Sequence, residues 1–202
     1  MNTALPRLIL IANDFTVGGT DKVLEAIDSG VRWVHLRDHN ATDEAFQVRA
    51  VKLVKEIKQV DQDTLVSING QRDLALQLGL HYHANMHGSK ERLPTPMLTG
   101  YSAHEDSELQ QDLTRFDYLF FSPVFPTKSK PGHAGVGIDV LAEFCRRVAP
   151  KPVFALGGIM PERCEACLDA GAYGVAVISG ILSAPSISAA VKAFGQALAI
   201  SK

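Results

Sequence analysis

The sequence has few cysteines, no long apolar run and no clear excess of either charge, and each shortage excludes a class of protein. No apolar stretch reaches the ~18 residues that a membrane helix needs, so we expect no membrane partner. The 20 Lys and Arg residues are balanced by 22 Asp and Glu residues, for a net charge of −2. Because nucleic-acid binding usually needs a basic excess or stripe, we expect no nucleic-acid partner. The apolar run at residues 8–12 is too short for a secretory signal, which predicts a cytoplasmic protein.

The three cysteines are an odd number, which argues against the disulfide framework of a secreted protein. Cys164 and Cys167 form a C-x-x-C pair, a spacing found in redox and zinc sites. The pair falls inside a predicted helix, where positions three apart share one face. We interpret it as helix packing, with redox or metal chemistry as the alternative.

What the sequence does contain is a regular alternation of short apolar runs and amphipathic stretches. The apolar runs have the length and composition of strands that are covered on both faces. They are residues 8–13, 33–37, 64–68, 80–83, 97–102, 118–121, 153–156 and 174–178. The stretches with helical spacing are residues 21–29, 43–59, 72–78, 138–148, 161–170 and 187–199. Residues 84–96 show no convincing helix.

Such an alternation predicts a parallel sheet, and two architectures compete for it. An open doubly wound sheet should carry a G-x-G-x-x-G turn after its first strand, and the residues there do not match. A (β/α)8 barrel needs ~200 residues and builds its phosphate site from the loops after strands seven and eight. Gly157 and Gly158 follow predicted strand seven, and Ser179 and Gly180 follow strand eight. We therefore predict a single α/β domain over residues 1–202, a (β/α)8 TIM barrel.

Polar residues at the predicted strand ends are the candidates for chemistry, since barrel enzymes place their catalytic groups there. They are Asn13, Asp14, His35, Arg37, Asp38, His39, Asn69, His81, His83, His87, Ser102, His104 and Ser122. Arginine rarely ends a buried strand without an anionic partner, so Arg37 predicts an anion in the barrel mouth. An ion pair with Asp38 or another acid is the alternative. The glycine turns suit a phosphate because glycine exposes backbone N–H groups, although tight turns that need positive φ would also use glycine.

The loop after predicted strand six, residues 125–137, is long and rich in hydroxyl and ammonium groups. It holds Thr127, Lys128, Ser129 and Lys130, whose side chains suit phosphate oxygens. Its glycines suggest an active-site lid, with an ordinary solvated loop as the alternative.

The histidines of predicted strand four have a grouping that some metal sites share. His81 and His83 lie on one face of the strand and His87 follows, but nothing indicates the further ligand that zinc would require. We favour polar lining over a metal site. His35, His39 and His104 are candidate proton carriers.

Taken in order, these motifs resemble the superfamily of thiamine phosphate synthases and TenI (thiazole tautomerase) proteins. The resemblance spans nearly the whole chain. It is carried by V-H-L-R at residues 34–37, S-I-N-G-Q-R-D-L-A-L at 67–76, S-A-H at 102–104, P-V-F-P-T-K-S-K at 123–130, A-L-G-G-I at 155–159 and G-V-A-V-I-S-G-I at 174–181.

The resemblance implies a set of ligand contacts. The synthase joins an aminopyrimidine methyl pyrophosphate to a thiazole phosphate with the help of magnesium. Residues implied on the pyrophosphate side are Arg37, Ser102, Thr127, Ser129 and Lys130, with Asn69 on the pyrimidine or pyrophosphate. The backbones of Gly157, Gly158, Ser179 and Gly180 are implied to hold the thiazole phosphate. The resemblance also suggests a homodimer.

The chain departs from the synthase pattern at the magnesium acids. The synthase has Asn-Asp after strand three, and this chain has Asn69-Gly70. The second acidic segment of the synthase is replaced by A-N-M-H at residues 84–87, and the Gln and Lys near its arginine are replaced by His35 and His39. Because magnesium prefers carboxylate oxygens, we expect no metal cofactor unless the chain is a synthase with an unusual site.

The Asn-Gly pair instead is similar to the TenI branch, which isomerises a thiazole carboxylate phosphate by proton transfer without metal. The histidine that serves a bacterial member of that branch is replaced by Pro123, so His35, His104 or His133 would have to move the proton, with Lys130 as a further candidate. We predict a TenI-like protein that binds a small phosphorylated thiazole. The alternatives are an active thiamine phosphate synthase and a non-catalytic binding or regulatory protein.

Overall fold

The strands close into a parallel barrel in a computed structural model, which describes residues 4–85, 89–104, 112–128 and 132–200. Each strand pairs with the next along the chain, and the eighth pairs with the first. The strands are β1 (Leu8–Ala12), β2 (Trp33–Leu36), β3 (Leu65–Asn69), β4 (His81–Ala84), β5 (Thr99–Ala103), β6 (Tyr118–Phe121), β7 (Val153–Leu156) and β8 (Gly174–Val177). The predicted (β/α)8 barrel is confirmed.

Helices surround the barrel and follow most of its strands. They are α1 (Val17–Asp28), α2 (Asp43–Val60), α3 (Arg72–Gln77), α4 (Ile138–Val148), α5 (Cys164–Asp169), α6 (Ser179–Leu182) and α7 (Ile187–Ala197). Two single turns of 3₁₀ helix, Leu113–Arg115 and Pro161–Arg163, complete the helical segments that the described residues form. Within those residues, no helix is both long and apolar enough to span a bilayer.

Two helices differ from the sequence-based prediction because glycines obscure their first turns. Helix α1 begins at Val17, ahead of the predicted start at residue 21, and includes two glycines of low helix propensity. Gly19 is required there, because a Cβ at this position would lie 2.4 Å from the carbonyl oxygen of Asp14. Helix α6, which contains Gly180, has only 4 residues and offers too short an apolar pattern to be recognised.

Side chains alternate between two cores along the strands, as parallel β structure requires. One set, including Val34 and Leu36, packs against the helices. The other set, including Trp33 and Phe120, fills the barrel interior. His35 shares the inward parity with Arg37, so this alternation directs Arg37 into the barrel mouth as predicted.

All three cysteines are free and buried in the core between the barrel and its helices. Burial raises the pKa of the Cys164 thiol to about 12 and that of Cys167 to about 11. Both thiols are therefore protonated near neutral pH, which agrees with packing rather than thiolate chemistry.

Candidate active site

A cavity of about 330 Å³ opens at the carboxyl ends of the strands. This volume lies at the small end of the range for small-molecule sites, about 300–1,000 Å³. The predicted site residues that line it are His35, Arg37, His39, Asn69, Ser102, His104, Ser122, Thr127, Gly157, Gly158, Ser179 and Gly180. The barrel thus brings together predicted residues that follow or end six of its strands, while its walls are completed by apolar side chains such as Ile11 and Phe120.

The two glycine turns lie side by side on one wall of this cavity. Gly157 and Gly158 have φ values of 97° and 64°, a region that glycine alone enters without cost. A Cβ at Gly158 would lie 2.4 Å from the Pro126 carbonyl oxygen, so the loop after β6 packs directly on this turn. Ser179 and Gly180 open α6, where the first N–H groups have no acceptor within the helix. The turn geometry and the packing of the neighbouring loop therefore require glycine at positions 157 and 158, and the use of the turns for phosphate stays a prediction.

Arg37 supplies positive charge to the cavity. Asp38, the acid considered as its partner, lies instead 4.0 Å from Arg49. In residues 4–85, 89–104, 112–128 and 132–200, Arg37 makes no ion pair. Burial lowers the pKa of its guanidinium because a charged group loses hydration there. A partly buried cation that finds no counter-charge among the described residues favours an anionic ligand.

The structure explains why a glycine follows Asn69 at the end of β3. Gly70 has a φ of 74°, and a Cβ on it would lie 2.6 Å from the amide nitrogen of Asn85. Asn85 lines the cavity beside Asn69. Sequence reasoning did not select Asn85, because it lies beyond the end of β4 and only the barrel geometry brings it next to β3.

Two histidines lie in the interior immediately below the cavity. His35 and His83 are at most 1% exposed, and their ring centroids are 4.9 Å apart. The Nδ1 of His35 lies 2.9 Å from Ser67 Oγ, and the Nε2 of His83 lies 2.8 Å from Ser102 Oγ. Desolvation lowers the pKa of His35 to about 3 and holds that of His83 well below its usual value. Both rings are therefore neutral at physiological pH.

Other histidines have separate surroundings. His104 lines the cavity, with its Nδ1 3.1 Å from both Ser122 Oγ and the Ser122 carbonyl oxygen. His81 accepts a hydrogen bond from the Leu98 backbone N–H at 3.0 Å, which gives it a structural role. Within the described part of the chain, no group of three or more potential ligands could hold a metal ion.

Several candidates fall elsewhere or outside the described residues. His133 and Lys128 line a separate shallow depression, which shares Thr127 with the cavity. Asp14 accepts a hydrogen bond from the Thr16 backbone N–H at the start of α1. Ser129, Lys130 and His87 lie outside the described residues.

The described part of the cavity lining lacks the donors that magnesium prefers. Of the described residues that line it, none is Asp or Glu. The oxygen donors present are amides and hydroxyls, such as those of Asn69, Asn85 and Ser102, beside the cation of Arg37. Because magnesium is usually held by one or two carboxylates, this set does not fit the ion.

A closed eight-stranded parallel barrel with a polar cavity at the carboxyl ends of its strands defines the class of (β/α)8-barrel enzymes. Within that class, the chain belongs to the family whose model is described as thiamine monophosphate synthase, which matches residues 8–181. The predicted superfamily is confirmed, and the family is enzymatic.

Relatives and solved structures agree with this family. A thiamine-phosphate synthase of Koribacter versatilis is 31% identical over 196 residues, covering 90% of this chain and 91% of the relative. One of Coprothermobacter proteolyticus is 31% identical over 179 residues, covering 85% and 83%. The structure of a thiamine phosphate pyrophosphorylase from Pyrococcus furiosus superposes with a TM-score of 0.78 at 22% identity, over 96% of this chain and 95% of the other, and supports the fold.

Proposed function

We propose that this chain binds a phosphorylated thiazole in the cavity and isomerises it by proton transfer without a metal ion. One observation carries the proposal. The described lining combines histidines, one arginine and backbone amides with no carboxylate. Such a lining can bind an anion and move protons, whereas it lacks the ligands for magnesium.

The phosphate is proposed to lie against the turns at Gly158 and Gly180. Both turns line the cavity, and backbone N–H groups there can donate to phosphate oxygens. Arg37 lines the same cavity from the end of β2 and suits the carboxylate of a thiazole carboxylate phosphate through charge-assisted hydrogen bonds. Two anionic ends would thus be held at separate points of the wall, with the thiazole ring between them.

Proton transfer is assigned to the histidines that line the cavity. His35 and His104 are the candidates, since each presents an imidazole to the cavity and each is hydrogen-bonded to a serine. His35 cannot easily hold a positive charge in its apolar surroundings, because desolvation depresses its pKa. A proton that it accepts must therefore be passed on rather than stored.

The test is direct conversion of the thiazole carboxylate phosphate to its isomer, followed by proton NMR in deuterated buffer with and without a metal chelator. We expect isomerisation that the chelator leaves unchanged, and a strong loss in His35→Gln. Isomerisation that requires added magnesium would contradict the proposal.

The synthase reaction, which couples aminopyrimidine methyl pyrophosphate to thiazole phosphate, is a second candidate function, because two observations favour it. The relatives described above carry the name thiamine-phosphate synthase. The chain also keeps the P-V-F-P-T stretch at residues 123–127, which resembles the synthase pattern. Incubation with aminopyrimidine methyl pyrophosphate, thiazole phosphate and magnesium, with pyrophosphate release as the readout, distinguishes the two. Robust release would replace the first proposal with the second, and binding without either reaction would indicate a regulatory binder.

A further inference from the structure

Arg163 lies outside the cavity but contacts two of the segments that form its wall. It ends the 3₁₀ turn Pro161–Arg163, and it is not among the described residues that line the cavity. Its guanidinium donates a hydrogen bond to the Gly158 carbonyl oxygen at 2.5 Å. The carbon of the same guanidinium lies over the ring of Phe125, 4.6 Å from the ring centroid. Arg163 thus joins the turn after β7 to the loop after β6.

Two successive carbonyl groups of the turn after β7 have partners in this neighbourhood. The Gly157 carbonyl oxygen accepts a hydrogen bond from the Phe125 N–H at 3.1 Å. The Gly158 carbonyl oxygen accepts from Arg163, whose side chain supplies a donor where, among the described residues, the backbone supplies none. Both carbonyl groups are therefore fixed in direction.

These carbonyl directions determine where the following N–H groups point. In a trans peptide the C=O and N–H bonds point in opposite directions. The Gly158 N–H therefore points away from Phe125, and the Ile159 N–H points away from Arg163. Neither N–H has an acceptor in the hydrogen bonds that the described residues form with one another. Because Gly158 and Ile159 both line the cavity, these two donors can serve a ligand there.

A fixed peptide plane matters at this turn because glycine leaves the backbone free to rotate. Neither Gly157 nor Gly158 has a side chain that would limit rotation of the peptide between Gly158 and Ile159. If that peptide rotated, its carbonyl oxygen would replace its N–H at the cavity and would repel an anion. The guanidinium of Arg163 is itself restrained, because it lies against an aromatic ring. The hydrogen bond to Gly158 therefore orients a donor before any anion arrives.

We propose that Arg163 is a positioning residue for phosphate binding, which holds the Gly158 carbonyl group outside the cavity and so directs the Ile159 N–H into it. Neighbouring backbone N–H groups form concave sites for anions, and those of Gly158 and Ile159 would serve this purpose. Arg163 itself makes no contact with the ligand and acts through the turn. The inference rests on the proposed function to this extent, since the anion is the phosphate of the proposed ligand.

The orientation of the peptide can be measured by NMR without any ligand. Labelling glycine with carbon-13 at the carbonyl and isoleucine with nitrogen-15 selects the three Gly-Ile peptides of the chain, whose N–H groups belong to Ile138, Ile159 and Ile181. Methionine at position 163 keeps an unbranched side chain against Phe125 but cannot donate. We therefore expect Arg163→Met to displace the Ile159 signal much more than the Ile138 signal. An unchanged Ile159 signal would overturn the proposal.

A matched control separates this contact from the general effect of losing a surface arginine. Arg146 on α4 is exposed and pairs with Glu143 at 2.6 Å. Arg146→Met removes the same charge and the same length of side chain as Arg163→Met, but it should leave the Ile159 signal unchanged. Equal displacement of that signal in the two variants would contradict a specific role for Arg163.

Binding of inorganic phosphate, followed through the same signals, tests the consequence for the site. At about 0.1 M salt, which screens charges more than about 10 Å apart, Arg163→Met should weaken binding about tenfold, the low end for loss of one hydrogen bond to a charged group. Arg146→Met should bind like the wild type. Arg163→Lys keeps the charge without the planar fork, and its affinity should fall as far as its Ile159 signal is displaced. Full affinity in a lysine variant with a displaced signal would show that charge alone suffices and would overturn the positioning role.

Turnover separates this inference from the proposed function. With the thiazole carboxylate phosphate as substrate, Arg163→Met should raise KM about tenfold and leave kcat nearly unchanged, because only binding of a non-reacting group is affected. A fall in kcat at constant KM would contradict a role in phosphate binding. If the wild type binds neither inorganic phosphate nor the thiazole carboxylate phosphate, the proposed function fails, and the Ile159 signal still decides whether Arg163 holds the turn.

Discussion

Replacing Gly158 with alanine tests the proposed phosphate turn most directly. Its φ of 64° lies in the left-handed region, and an added Cβ would lie 2.4 Å from the Pro126 carbonyl oxygen. Alanine in this backbone conformation costs about 1–2 kcal/mol. Displacing a packed neighbour costs about 1–3 kcal/mol more, so Gly158→Ala should lower the free energy of unfolding by about 2–5 kcal/mol.

Gly79 provides the matched control for the conformational part of this loss. It has nearly the same φ, 65°, but nothing lies within 4 Å of its added Cβ. Gly79→Ala should therefore lose only about 1–2 kcal/mol. Urea unfolding of both variants gives two losses in the free energy of unfolding, and the difference between them, about 1–3 kcal/mol, is the steric cost at Gly158.

Calorimetric titration with thiazole phosphate then tests whether the same turn also binds the ligand, because it measures affinity in each variant. In Gly158→Ala the turn must move away from the loop after β6, which displaces the backbone N–H groups, so affinity should fall about tenfold or more, the effect of one lost charge-assisted hydrogen bond. Gly79→Ala should bind like the wild type. Equal losses of stability in the two variants, or wild-type affinity in Gly158→Ala, would refute the reasoning.

Three further predictions follow from burial. Arg37→Gln should weaken binding of the thiazole phosphate about 10- to 100-fold in titrations, since a charge-assisted hydrogen bond is lost, and should raise the thermal midpoint because a desolvated cation is removed. Protons bind His35 and His83 more readily in the unfolded chain than in the folded one, so the free energy of unfolding has its full value above about pH 6.5 and decreases below that pH. Urea unfolding at pH 7 and at pH 5 should show a decrease of about 2 kcal/mol for each histidine. An unchanged free energy of unfolding would contradict the neutral burial of the two rings. Burial raises the pKa of the Cys164 thiol to about 12, so the buried cysteines should resist a thiol-reactive dye until the protein unfolds. Rapid labelling of the native protein would disprove this.

The fold was predictable because its signals are local. Buried parallel strands have to be short apolar runs, and α2 and α4 carry apolar residues at helical spacing over three or more turns. Element ends were less accurate where glycine conceals a helix, as in the first turn of α1. The predicted site residues that are described come together largely because a barrel places every strand end at one rim.

The hydrogen bonds inside the barrel could not be predicted in the same way. Ser67 is distant in sequence from His35, and Tyr118 is distant from His83, and only the folded barrel brings each pair together. Ser67 also looks like an ordinary small strand residue, and Tyr118 like an ordinary core aromatic. The alternation of His81 and His83 did indicate an inward polar face on β4, but not which partners would meet it.

The hydrogen bond between Tyr118 and His83 depends on space left by a neighbour. Gly100 on β5 lies against both, and a Cβ there would approach Tyr118 Cζ to 2.2 Å and His83 Nδ1 to 2.6 Å. A single methyl group at position 100 is therefore incompatible with both side chains in their present places. Any evolutionary path that gives up this glycine must at the same time shrink or move Tyr118 or His83. The polar interior of the barrel is thus tied to the absence of one side chain, so a larger residue at position 100 should be accepted only together with a change at Tyr118 or His83.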